Sequence, residues 1–225
     1  MAGLGQKKSV LLIDLDGTLV DSAPDLAAAV NKLLVELGSE PLPLDRVRGM
    51  IGDGMASLVE RALTARQVTF GPAFLPKAFE RAKTLYAEGI AVETRPYPGV
   101  REALEGLTRN GCRLAVCTNK PEKLSRALLE ALQLERYFAA VAGGDSFAEK
   151  KPAAGHPLGL LQALGAAPRE AALLGDGHND ILAARAAGIA EIWFSGGYGG
   201  ERAEALAPAR RIDSFAELAG LWRSL

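Results

Sequence analysis

Val10-Leu11-Leu12-Ile13 is an unbroken apolar run that ends directly on Asp14-Leu15-Asp16-Gly17, with Lys7, Lys8 and Ser9 before it. A short apolar run bounded in this way reads as a strand buried on both faces, the kind that needs helices on either side of a parallel sheet. Side chains alternate along a strand, so Asp14 and Asp16 start on the same side, one near the last paired position and one just past it. Gly17 lets the backbone turn closely past whatever they hold. Two carboxylates this close repel, and the arrangement persists where a cation or a shared proton compensates. That points to a hard metal such as magnesium, or to a division of labour: one acid ionised as ligand and nucleophile, the other exchanging protons with a leaving group. A solvated Asp-rich turn is the plain alternative for the pair taken alone. A calcium loop is not, because with Asp14 at position 1 Leu19 falls where glycine is required.

From Asp21 the pattern turns helical. Pro24 suits a first turn, Asp25 the positive helix end, and Leu26, Val30, Leu33 and Leu37 recur at helical spacing before Gly38. Further helices are expected at about 53–65 and 76–88, with no strand between Asp21 and Glu93, and the chain returns through the stiff segment Arg95-Pro-Tyr-Pro-Gly99. After Pro98, helices (about 100–109, 121–132, 157–164 and 180–187) alternate with strands (113–117, 139–142, 171–174 and 191–194), which argues for parallel βαβ units. The expected fold is α/β: a doubly wound, Rossmann-like parallel sheet core of residues 1–20 and 96–225, with a small all-helical cap, 21–95, inserted after the first strand.

The 225 residues are 48% hydrophobic, enough for one substantial core and a small second domain. A formal charge of −1 offers no electrostatic attraction for nucleic acid or an anionic membrane. No apolar run approaches the roughly 18 residues that span a bilayer. The opening MAGLGQKK lacks an apolar signal core, so a cytoplasmic protein, monomer or homodimer, is expected. Cys112 and Cys117 lack CxxC spacing and clustered histidines, and read as reduced, buried thiols.

The remaining polar signals fall where such a sheet binds ligands, beyond the carboxyl ends of its strands. Gly175-Asp176-Gly177-His178-Asn179-Asp180 is a second acidic pair on a glycine-flanked turn; Asp176 is a third metal anchor, and Asp180, one helical turn on, can ligate the ion or orient its waters. Thr118-Asn119-Lys120-Pro121 opens a helix, and its hydroxyl, amide and free N–H groups make an anion cradle. Lys150 and Lys151 stand before Pro152, and a lysine is what three carboxylates still need if they are to bind a dianion. His156 and His178 read as incidental loop histidines. In the insert, the loop Arg48-Gly-Met-Ile-Gly-Asp-Gly54 is the segment expected to meet a leaving group, with Gly52 and Asp53 in it and Arg48 a candidate partner for a substrate carboxylate.

The segments DLDGTLVDS, CTNKP, KKP and GDGHND resemble the four motifs of the haloacid dehalogenase superfamily, over nearly the whole chain. VERAL, GGDSFAEKKP and GGYGGE are most similar to its bacterial phosphoglycolate phosphatase branch. The resemblance implies that Asp14 is the nucleophile and that Asp16 is the general acid and base, giving its backbone carbonyl to Mg2+. Thr118, Asn119 and Gly17 would line the phosphoryl site, Lys151 would neutralise Asp14 and the phosphate, and Asp176, supported by Asp180, would bind the metal. It implies hydrolysis of a small-molecule phosphate monoester, 2-phosphoglycolate, through an aspartyl phosphate. One departure is the stretch Lys151-Pro-Ala-Ala-Gly-His-Pro157-Leu158, a residue longer than relatives usually show. A sugar phosphomutase uses the same core residues and stays open. A non-enzymatic phosphoacceptor domain would be about half this length, without a cap or an acid placed like Asp16; a dehalogenase would need neither Asp16 nor metal; a phosphonate hydrolase would need a cap lysine that the loop 48–54 does not offer.

Overall fold

The computed structural model describes residues 8–69, 71 and 73–225; the leader reading falls, up to Lys7, outside them. The central sheet has the order β5-β4-β1-β6-β7-β8, all parallel. Its strands are β1 (Val10–Ile13), β4 (Arg113–Cys117), β5 (Phe138–Ala142), β6 (Ala171–Gly175), β7 (Ala190–Phe194) and β8 (Arg211–Ile212). From β1 the chain builds outward through β4 and β5, then crosses to β6 on the other side of β1 and builds outward again. This reversal places the carboxyl end of β1 at the crevice where doubly wound sheets take ligands.

Every side chain of β1 is fully buried, and alternation decides which core each joins. Leu11 and Ile13 face a core with Val116, Leu104 and Leu107; Val10 and Leu12 face another with Ala115, Leu160 and Ala183. The first is covered by α5 (Val100–Arg109) and the C-terminal α10 (Leu218–Arg223), and the second by α7 (Gly155–Ala163) and α8 (His178–Ala186). Burying each such aliphatic side chain contributes about 1.5–3 kcal/mol, so a polar residue in β1 costs stability of the whole sheet as well as the chemistry at its end. The connection from β4 to β5 is α6 (Glu122–Ala131), and α9 (Gly200–Glu204) lies between β7 and β8.

The insert is α1 (Ala23–Glu36), α2 (Leu44–Arg48), α3 (Met55–Ala65) and α4 (Phe74–Glu88), and its apolar stripes form a cluster of their own around Leu33, Leu58, Leu63 and Tyr86. Two connections enclose it, and here the structure adds what sequence periodicity did not register. Val20–Asp21 (β2) and Arg95–Pro96 (β3) pair antiparallel as a two-stranded ribbon, too short to show alternation. The buried Asp25 braces the same junction by accepting hydrogen bonds from Thr94 N at 2.9 Å and Thr94 Oγ1 at 2.7 Å, so its carboxylate serves the return linker as well as the start of α1. The short elements α2, α9, β8 and α10 were also not read from the sequence. No helix among the described residues is long and apolar enough to cross a membrane.

Candidate active site

Four chain segments converge beyond the carboxyl ends of β1, β4 and β6. Asp14 N donates to Leu174 O at 2.9 Å, which carries the β1 ladder one residue past the strand and leaves Asp16 outside it. The chain then doubles back: Leu19 and Val20 N–H groups both return to Leu15 O. Gly17, at φ +86°, makes the turn possible, since a Cβ there would lie 2.7 Å from Asp176 Oδ2 and 2.8 Å from the Tyr198 ring. Its place is thus to let the β1 turn lie against Asp176.

One oxygen from each of Asp14, Asp176 and Asp180 lies within 4.8 Å of the others, and all three residues are buried. Asp180 is held by Gly177 N at 3.0 Å and Lys151 Nζ at 2.5 Å. Asp176 accepts from Thr18 Oγ1 at 2.7 Å, Tyr198 N at 2.7 Å and Gly199 N at 3.1 Å. Burial first, then Asp14 and Asp180, pushes the Asp176 carboxyl up to about 7; burial likewise raises Asp180 to about 6, against the pull of Lys151. Lys151 Nζ lies 2.9 Å from Asp14 Oδ1, close enough to pair but without an aligned hydrogen bond, so that oxygen is buried with no hydrogen-bond partner. Three crowded carboxylates facing one ammonium, with one oxygen unbonded, are a donor set that fits a divalent cation.

The fit has a pH signature. A carboxyl whose value rises from 3.8 to about 7 on folding costs stability as it ionises; the cost is absent below the unfolded value and complete above the folded one. A divalent cation removes that cost. Mg2+ is therefore expected to raise the melting temperature more at pH 8 than at pH 5; equal shifts at both would argue against binding by these carboxylates.

Asp16 stands apart from the cluster. Its two oxygens lie 3.0 and 3.1 Å from Lys120 Nζ, and Ser22 Oγ donates to Oδ1 at 2.6 Å. Lys120 is a residue sequence reasoning passed over, although it stands inside the Thr118-Asn119-Lys120 turn. Tyr198 is another: its hydroxyl donates to Asp21 Oδ1 at 2.6 Å and accepts from Ser22 N at 2.8 Å, tying the loop after β7 to the start of the insert. Only the glycine-flanked GGYGG marked it in the sequence.

Thr118 Oγ1 accepts Lys120 N at 3.3 Å, which leaves its proton to offer a ligand. The Asn119 amide nitrogen is committed elsewhere, with Nδ2 donating to Lys151 O at 2.9 Å and Gly52 O at 3.1 Å, while its Oδ1 is buried without a hydrogen-bond partner. In this turn the Thr118 hydroxyl is the side-chain donor left free. Lys150 turns outward and donates to Asp53 O at 2.7 Å.

The insert closes directly on these loops. Asn179 Nδ2 donates to Asp53 Oδ1 at 2.7 Å, Arg61 pairs with Asp53 Oδ2, and a Cβ on Gly54 would lie 2.8 Å from Asn119 O. Two small cavities, of 30 and 60 Å3, remain under the loop and share Asp14, Asp16, Ile51 and Gly52. Leu26, Met55 and Leu58 give the first an apolar wall. Arg48 lines neither cavity: α2 sets it one turn after Asp45, which it pairs with at 2.9 Å, and it lies 3.8 Å from Asp21. The histidines are in helices rather than loops. His156 is fully buried in the first turn of α7, its pKa pushed down to about 4 by burial and then by the Lys151 charge; His178 opens α8 beside Arg202 at 3.2 Å. Cys112 and Cys117 are free and buried, and burial pushes both thiols up to about 12.

Comparison with known proteins agrees with this geometry. The model of a family described as haloacid dehalogenase-like hydrolase matches residues 11–194. A phosphoglycolate phosphatase of Agrobacterium fabrum is 41% identical over 92% of this chain and 89% of its own length, and one of Chromobacterium violaceum is 42% identical over 94% and 95%. The crystal structure of a predicted phosphoglycolate phosphatase from Haemophilus somnus superposes with a TM-score of 0.90 at 31% identity, covering 96% of this chain and 98% of that one. With the motif residues gathered at one sheet end and the match running through them, the chain belongs to the haloacid dehalogenase-like hydrolases.

Proposed function

We propose that the protein hydrolyses the phosphate monoester of a small molecule, 2-phosphoglycolate, through an aspartyl phosphate on Asp14. The observation that carries this reading is the separation of the two β1 carboxylates. Asp14 is with Asp176, Asp180 and Lys151, while Asp16 is drawn off to Lys120 and Ser22. A nucleophile and a proton carrier need different positions, and these two acids have them, one among the metal-binding carboxylates and one outside them.

Asp14, Asp176, Asp180 and the Asp16 backbone carbonyl would hold Mg2+, which when bound supplies positive charge against the phosphoryl oxygens. A carboxylate oxygen of Asp14 attacks phosphorus as the ester oxygen leaves. Asp16 gives that oxygen its proton, and in the second step takes one from the water that attacks the phosphorus, regenerating Asp14 and releasing phosphate. The Thr118 hydroxyl, backbone N–H groups of its turn and Lys151 bind the transferring group. The loop 48–54, with Gly52 and Asp53, excludes solvent above it.

Because the space under that loop is small, a short leaving group is favoured over a sugar. A higher kcat/KM is expected for 2-phosphoglycolate than for hexose phosphates, and the relatives named for that substrate point the same way. Equal or better hexose phosphate turnover would sink the substrate while leaving the phosphatase. Acid quench with 32P-labelled substrate should leave label on the wild-type protein; none at any quench time would argue for direct hydrolysis. Asp16→Asn is expected to lower kcat by about 10²- to 10⁴-fold with little change in Mg2+ affinity, and a near wild-type rate would remove its role.

A further inference from the structure

We propose that Lys120 is a positioning residue for Asp16, and that Tyr86 of the insert completes its seat, so that the proton carrier is aligned only while α4 is packed on the sheet core. The inference rests on the role given to Asp16 above. The Lys120 side chain is 2% exposed, and an ammonium taken so far out of water needs compensation from fixed partners. It has two. Both oxygens of Asp16 lie at 3.0–3.1 Å on one side, and the Tyr86 ring centroid lies 4.1 Å away on the other, a cation–π distance. Tyr86 is fully buried; its hydroxyl makes no aligned hydrogen bond but interacts with the Lys120 ammonium, beside which the ring face lies.

The lysine backbone is held as firmly as its tip. Lys120 N donates to Thr118 Oγ1 at 3.3 Å, Lys120 O accepts Gly144 N at 2.9 Å, and a Cβ on Gly143 would fall 2.6 Å from that oxygen. Lys120 thus reaches Asp16 from a fixed turn, while Ser22 Oγ fixes the carboxylate from the linker into α1. Two lysines divide the acids between them, Lys151 taking Asp14 and Asp180 and Lys120 taking Asp16. Tyr86 is the part of this arrangement that belongs to the insert, and lifting α4 would strip the ring from the ammonium.

A double-mutant cycle tests the proposal. Lys120→Met is expected to lower kcat for 2-phosphoglycolate by about 30- to 100-fold, within the range of acid–base catalysis, while KM moves less than about threefold. In the Asp16→Asn background the same change should cost less than about threefold, because its effect passes through Asp16. Tyr86→Leu should follow the pattern with a smaller loss, and Tyr86→Phe, which keeps the ring, should recover most of the rate. A loss equally large in both backgrounds means a general structural role and overturns the proposal, as does a Lys120→Met rate within threefold of wild type. If Lys120→Met fails to fold, the two Tyr86 variants in both backgrounds carry the same test. Failure of the reading itself shows separately, as absence of acid-stable label on the wild-type protein.

Discussion

Asp14→Asn is expected to give a folded protein whose turnover is lower by about 10⁴-fold or more, the scale on which removal of a covalent nucleophile acts. The amide has the same shape, so the β1 turn and the hydrogen bond from residue 14 N to Leu174 O persist. What disappears is the charge that attacks phosphorus. Stability should not fall with it. Asp14 is one of the acids that push Asp176 upward, and Lys151 keeps Asp180 at 2.5 Å as a partner, so removing one carboxylate relieves repulsion without orphaning the ammonium. The expected result without metal is an unchanged or higher melting temperature, together with a smaller rise on adding Mg2+. Retention of more than about 1% of turnover with label still trapped on the protein would place the nucleophile elsewhere.

Lys151→Met is expected to damage both stability and rate. Its side chain is 1% exposed and bridges Asp14 and Asp180, whose charges raise its pKa despite burial. A lysine raised on folding contributes stability that is fully present below its ordinary value of 10.5 and is lost only as the pH climbs through the folded value, so the contribution is intact at neutral pH. Without the ammonium, buried carboxylates face one another unpaired, a loss of about 3–5 kcal/mol. Acid should relieve part of it, because Asp176 and Asp180 already take up protons at about 7 and about 6. The melting temperature of the variant should therefore lie furthest below wild type near pH 8 and closest near pH 5, with Mg2+ also narrowing the gap. The rate should fall by about 10²- to 10³-fold even where Mg2+ restores stability, since the counter-charge on the transferring phosphoryl group is missing. Wild-type turnover in a stable variant would show that the dianion finds its counter-charge elsewhere.

The parallel sheet was legible in β1 before anything else. Four apolar residues buried on both faces demand helices on each side, and the alternation after Pro98 supplied them. The helical insert was legible from Leu26, Val30 and Leu33, whose spacing fits only a helix, while the ribbon formed by β2 and β3 was not, because two-residue strands carry no period. Asp14, Thr118 and Asp176 could be located by their succession to strands, which alone sends them to one end of the sheet.

That ordering is what the sequence determined by itself: which residues follow which strand, and so which ones share the mouth of the crevice. How the charges were shared out there was decided by tertiary structure. Lys120 and Asp16 are 104 positions apart, Lys151 and Asp180 29, and Asn179 and Asp53 126. The local sequence at Lys120 looks like a helix entrance and that at Arg48 like a free arginine facing a substrate. Only when α4 brings Tyr86 over one, and α2 packs so that the other lies 3.8 Å from Asp21, does each acquire its partner from another element. Periodic burial depends on neighbours along the chain and can be read there. An ion pair between elements depends on the angle and distance at which they pack, which a single strand or helix does not encode.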